Sequence, residues 1–123
     1  MKCFKNAIVY VEGKGLVKCN VVFDEKIQKI SKFCCGKAEE IALPDNAVVL
    51  PGFVDQHVHG AGGSDGMDGT VEDISIIANT LAAEGTTTFL VTTMTQSKEN
   101  ITKALQAVKE YRAANKKEGA RVA

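Results

Sequence analysis

Pro51-Gly-Phe-Val-Asp-Gln-His-Val-His-Gly60, running on into Ala61-Gly-Gly-Ser-Asp65, is the stretch from which the rest of the chain can be placed. Phe53, Val54 and Val58 favour a strand, because branched and aromatic side chains pack well on a pleated surface. Side chains alternate along a strand, so His57 and His59 project to one face, and Asp55 lies on that same face. Two imidazoles this close on a rigid element can share one divalent cation, and neutral imidazole is a good ligand for zinc, iron or nickel. A His-x-His pair alone is also a common accident of sequence. The context favours the metal: these are the only two histidines in the chain, and they sit at a strand end, where parallel α/β barrels keep their chemistry. Gly60, Gly62 and Gly63 follow at once. They let a backbone pass close to a ligand or turn with positive φ, and they read as a substrate loop.

Upstream, the pattern predicts short strands. Ala7–Val11, Leu16–Phe23 and an irregular piece over Ile27–Phe33 are separated by Glu12-Gly-Lys-Gly15 and Asp24-Glu-Lys26. Short strands with tight polar turns imply a small antiparallel sheet or half-sandwich. Cys34–Glu40 reads as a polar connector. Ile41–Leu43 and Ala47–Leu50 are further strand pieces around the Pro44-Asp-Asn46 turn. A domain boundary is expected near Leu50, giving units 1–50 and 51–123.

Downstream the period changes. Thr70-Val-Glu-Asp73 predicts a helix start of the capping-box type. Ile74, Ile77, Ala78, Leu81 and Ala82 then recur at helical spacing, with Gly85 as the stop. Thr86–Met94 is rich in β-branched residues and predicts a strand buried on both faces. Ser97 caps a second predicted helix, with Ile101, Ala104, Leu105, Val108 and Arg112 along one face, Lys116-Lys117 near its end and Gly119 as the stop. Ala120–Ala123 begins another strand. Strand–helix alternation implies parallel βαβ units. A (β/α)8 barrel needs about 250 residues, so the expectation is the front end of a larger protein.

Acidic and basic residues balance at 15 each, so bulk charge suggests no nucleic-acid partner and no acidic membrane. No apolar run reaches the roughly 20 residues of a membrane span, and the N-terminus lacks a signal-peptide pattern. The expected compartment is the cytoplasm. The four cysteines, Cys3, Cys19, Cys34 and Cys35, show no CxxC spacing and are expected as unpaired thiols.

Taken together, Pro51–His59, Gly60-Ala-Gly-Gly-Ser-Asp-Gly-Met-Asp-Gly-Thr70 and Glu84-Gly-Thr-Thr-Thr-Phe-Leu-Val-Thr-Thr-Met-Thr95 resemble the amidohydrolase superfamily and, within it, the N-acetylglucosamine-6-phosphate deacetylases. The resemblance covers nearly all of this chain but only the front part of a family member. It implies an α/β fold: the N-terminal part of a β-sandwich, then the first two to three units of a (β/α)8 barrel, left incomplete. The implied reaction removes acetate from an amino-sugar phosphate with the aid of a divalent metal ion (zinc, or iron or another transition metal), in a homodimeric parent enzyme. By the same resemblance His57 and His59 are metal ligands, and Asp55 is structural or orients a ligand. The remaining ligands and the catalytic acid–base are expected beyond Ala123, so the chain by itself is expected to be an inactive N-terminal fragment.

Other amidohydrolases that act on cyclic amides or N-acyl amino acids also carry His-x-His. Dihydroorotases expect an arginine soon after the pair, and the loop from Gly60 to Gly69 has none. A non-catalytic truncated paralogue is the alternative outside enzymes. The threonines at 86–88 and 92–95 read as strand formers with a few hydroxyls near the site. Asp65 and Asp68 read as turn formers, Met67 as packing, and Lys98, Lys103 and Lys109 as a solvated helix face.

Overall fold

The computed structural model describes residues 1–33, 36–114 and 118–123. Two compact units are present, Met1–Pro51 and Gly52–Ala123. Cys34, Cys35 and the Lys116-Lys117 pair lie outside the described residues.

The first unit is one five-stranded sheet built from β1 (Lys2–Val11), β2 (Gly15–Phe23), β3 (Ile27–Ser31), β4 (Glu39–Ile41) and β5 (Val48–Val49). β1, β2 and β3 form the expected antiparallel meander. β4 and β5 instead run parallel to β1 and share its other edge, a pairing that hydrophobic alternation cannot report. A bulge between Phe4 and Ala7 adds one residue to β1, with Asn6 at φ 53°, a conformation that Asn tolerates better than most residues. The Asn6 N–H donates to the Asn20 side-chain oxygen at 2.8 Å. The extra residue shifts the parity of the strand. Even-numbered Phe4 therefore packs with Ala7, Val9, Cys19 and Val21 on one face.

The cysteines differ in part from expectation. Cys19 is a buried free thiol, but Cys3, also buried, is disulfide-bonded. Spacing along the chain carries no information on which thiols a fold brings together.

The second unit contains β6 (Phe53–Val58), the short hairpin β7 (Gly60–Ala61) and β8 (Ser64–Asp65), α1 (Val71–Ala83), β9 (Thr86–Val91), α2 (Lys98–Ala113) and β10 (Arg121–Val122). β9 lies between β6 and β10 and is parallel to both. The helices touch each other. Ile74, Ile77, Ala78 and Leu81 of α1 and Tyr111 of α2 share one core with Val58, Phe89, Ala120 and Val122. Both helices thus cover the same face of the sheet.

Thr70 caps α1, accepting from the Asp73 N–H at 3.1 Å. Gly85, at φ 92°, ends it. Three expectations need correction. Ala82 is exposed, although it follows the apolar period. β9 is buried on one face only: Phe89 is fully buried while Leu90 is 43% exposed, because α1 and α2 pack on one side. On α2 the buried row is Ala104, Ala107 and Tyr111, while Leu105 and Arg112 face solvent. Alanines let the helix approach the sheet, so the helix is rotated from the face that its largest apolar residues suggest. Among the described residues no helix is long and apolar enough to cross a membrane.

Candidate metal centre

The pair sits where β6 leaves the sheet. Asp55 accepts from the backbone N–H of His57 at 3.0 Å, so its carboxylate holds the main chain of β6, at its register shift, rather than an imidazole. The two rings meet edge to face, with centroids 4.9 Å apart and planes at 78°. Their Nε2 atoms are 3.1 Å apart. His57 is exposed and His59 partly buried.

His59 Nδ1 lies 3.0 Å from the backbone carbonyl of Thr92. A carbonyl can only accept, so Nδ1 carries the proton and, in the neutral ring, Nε2 carries the lone pair. His57 Nε2 is aimed at that lone pair. A cation about 2.0–2.1 Å from both nitrogens, the usual zinc–imidazole distance, would subtend roughly 100° across such a gap, between octahedral and tetrahedral values. The donor set therefore fits two neighbouring positions of one coordination shell. Among the described residues no group of three or more His, Cys, Asp or Glu is placed to hold a metal ion.

The glycine loop is a built structure. Gly60 pairs with Asp65 and Ala61 with Ser64. Gly62 and Gly63, at φ 64° and 87°, supply the positive φ at both loop positions of a type I′ hairpin. A Cβ on Gly60 would collide with the Ser64 carbonyl oxygen. Asp65 then caps a 3-10 turn over Gly66–Asp68, accepting from the Met67 N–H at 2.8 Å, while Asp68 accepts from the Asp65 N–H at 2.8 Å. Ser64 donates to Asp73 at 2.9 Å, tying the hairpin to the start of α1. The hydroxyls of Thr70 and Ser64 hold the Asp73 carboxyl below the usual carboxylate range. Lys103 is exposed, as expected, and donates to the Asp68 carbonyl at 2.9 Å.

Thr92, one of the threonines expected as strand formers with a few hydroxyls near the site, lies just past the end of β9. Its contacts to Val58 and His59 make it part of the site. The available signal was its place just past the end of β9, the strand that parallel pairing sets beside the histidine strand.

This arrangement, two histidines at the C-terminal end of a parallel strand followed by a turn and a helix, agrees with the match of residues 48–118 to the model of the amidohydrolase family, and the chain belongs to that family. Within it, the chain is 44% identical over 77 residues to the N-acetylglucosamine-6-phosphate deacetylase of Bacillus subtilis (strain 168), covering 63% of this chain and 19% of that protein. The crystal structure of the Thermotoga maritima N-acetylglucosamine-6-phosphate deacetylase superposes with a TM-score of 0.73 at 31% identity, over 92% of this chain and 28% of that one. The Pasteurella multocida deacetylase shares the fold, with a TM-score of 0.78 at 24% identity, over 96% of this chain and 32% of that one. The chain thus spans less than a third of the length of each of these relatives.

Proposed function

We propose that these residues form the N-terminal part of a metal-dependent amidohydrolase that removes acetate from N-acetylglucosamine 6-phosphate. Residues 1–50 contribute to a β-sandwich and residues 51–123 open a (β/α)8 barrel. The observation that carries the reading is the 3.1 Å approach of the two Nε2 atoms at the end of β6. The named relatives supply the substrate class, and the sequential order β6, β9, β10 with both helices on one face supports the barrel.

His57 and His59 would hold a divalent cation, with Asp55 fixing the main chain between them and the Thr92 carbonyl fixing the His59 ring. When bound, such an ion polarises an amide carbonyl and lowers the pKa of water. The Gly60–Gly63 hairpin stands beside the pair in sequence as the substrate loop, its shape set before any ligand arrives. No side chain at the histidine pair is assigned the proton-transfer role, and two imidazoles alone bind a cation weakly. The isolated 123 residues are therefore expected to release no acetate.

The test is the intact mass and metal content of the protein from its native cell, together with acetate release from N-acetylglucosamine 6-phosphate. A mass several-fold above 13.1 kDa, with bound transition metal and activity lost in His57→Ala and His59→Ala, is the expected result. Amide hydrolysis above background by a 13.1 kDa chain, or full activity in both variants, overturns the reading.

A further inference from the structure

Thr92 does more than follow β9. In an unbroken parallel ladder, the Val58 N–H would reach the carbonyl of the residue before its partner. The partner of Val58 is Val91, so that carbonyl belongs to Leu90. The Thr92 hydroxyl touches both of these groups. It accepts from the Val58 N–H at 3.1 Å and donates to the Leu90 carbonyl over a long 3.5 Å. The Thr92 N–H closes the other side by donating to the Val58 carbonyl at 2.7 Å. The same strand pair carries a register shift between Asp55 and Val58. Both polar groups of Val58 are thus held by one residue, and the carbonyl of that residue is the acceptor for His59 Nδ1 at 3.0 Å.

We propose that Thr92 is a positioning residue. Its hydroxyl, bonded at the end of the β6–β9 ladder, sets the separation at which its own carbonyl locks the Nδ1–H tautomer of His59 and turns Nε2 toward His57. Valine at this position keeps the branched shape and the carbonyl but removes the hydroxyl that accepts from the Val58 N–H. That loss moves the His59 main chain against the Thr92 carbonyl. Serine restores the hydroxyl.

The inference rests on the metal reading only for its consequence, so the test has two separate readouts. The first is the two-bond proton–nitrogen correlation spectrum of the histidine rings at neutral pH without metal. Wild type is expected to show His59 protonated at Nδ1, Thr92→Val a gain of the Nε2–H form, and Thr92→Ser the wild-type pattern. An Nε2–H tautomer of His59 in wild type refutes the proposal even if Thr92→Val fails to fold. So does an unchanged tautomer in a folded Thr92→Val. The second readout is titration with Co2+ alone. Thr92→Val is expected to weaken the wild-type affinity about tenfold or more, the usual effect of losing a group that orients a ligating histidine, and Thr92→Ser to restore it. Equal affinity in wild type and Thr92→Val overturns the proposal. A wild type that takes up no Co2+ overturns the metal reading instead, and the tautomer then decides the role of Thr92.

Discussion

Gly66 shows how tightly single residues are set around the histidines. Its N–H donates to the His59 carbonyl at 2.7 Å, and a Cβ there would lie 2.6 Å from Val91 Cγ1 and 3.3 Å from that same carbonyl. The side of β9 has no room to yield, because Val91 packs against the core. Gly66→Ala is therefore expected to cost about 1–3 kcal/mol, the range for overpacking, read as a fall in the urea midpoint. An unchanged midpoint would show that the hairpin moves freely over β9. His57→Ala and His59→Ala, by contrast, remove side chains that stand largely outside the core. Each is expected to abolish Co2+ uptake with little change in the urea midpoint, and a large loss of stability would identify the pair as packing.

At the level of elements, α1 begins with a network in place of a single cap. Thr70 caps it, Glu72 and Asp73 place negative charge in the first turn, where the helix dipole favours it, and Asp73 also ties the hairpin through Ser64. Thr70→Ala should cost roughly 1 kcal/mol by loss of the cap, measured by chemical denaturation. The Asp73 carboxyl is held low in the folded state by the two hydroxyls. Its contribution is complete above the unfolded-state value, near ~3.9 for Asp, and is lost as pH falls through the lower folded-state value. Between about pH 6 and pH 3 the wild type should thus lose more stability than Asp73→Asn does. Parallel pH dependence of the two proteins would show that the network adds nothing. The corrected face of α2 belongs to this scale as well. Ala107 and Tyr111 form the buried row with Ala104, and Leu105 was misleading because a period gives the width of an apolar stripe, whereas close approach to a neighbour selects its centre.

For the molecule as a whole, the second unit is held by a core that does not include the histidines. Phe89, Ile74 and Ile77 are its largest fully buried side chains, and Phe89→Ala is expected to cost about 3–5 kcal/mol, seen in the urea midpoint. Treatment with a chelator should leave far-UV circular dichroism unchanged, since the pair proposed to hold the metal lies at a strand end outside the buried core. Melting on chelation would show a structural metal instead. The strand–helix alternation after Pro51, the caps at Thr70 and Ser97, the stop at Gly85 and the shared face of His57 and His59 were all legible in the chain, because each depends on residues a few positions apart. The same locality made the Gly62-Gly63 turn readable as a turn, though not as a hairpin anchored by Ser64 to α1. The parallel edge that β4 and β5 share on β1, the bulge at Asn6, the disulfide at Cys3, the single buried face of β9 and the clamp by Thr92 were not legible. Each is a meeting of residues distant in sequence, and no period or spacing encodes which backbone carbonyl a strand end will find when β6 and β9 come together. The sequence by itself determined the chemistry on offer, two imidazoles on one face of a strand before a glycine turn. Only the tertiary structure decided which nitrogen of His59 is free, because the acceptor that settles it stands 33 residues away.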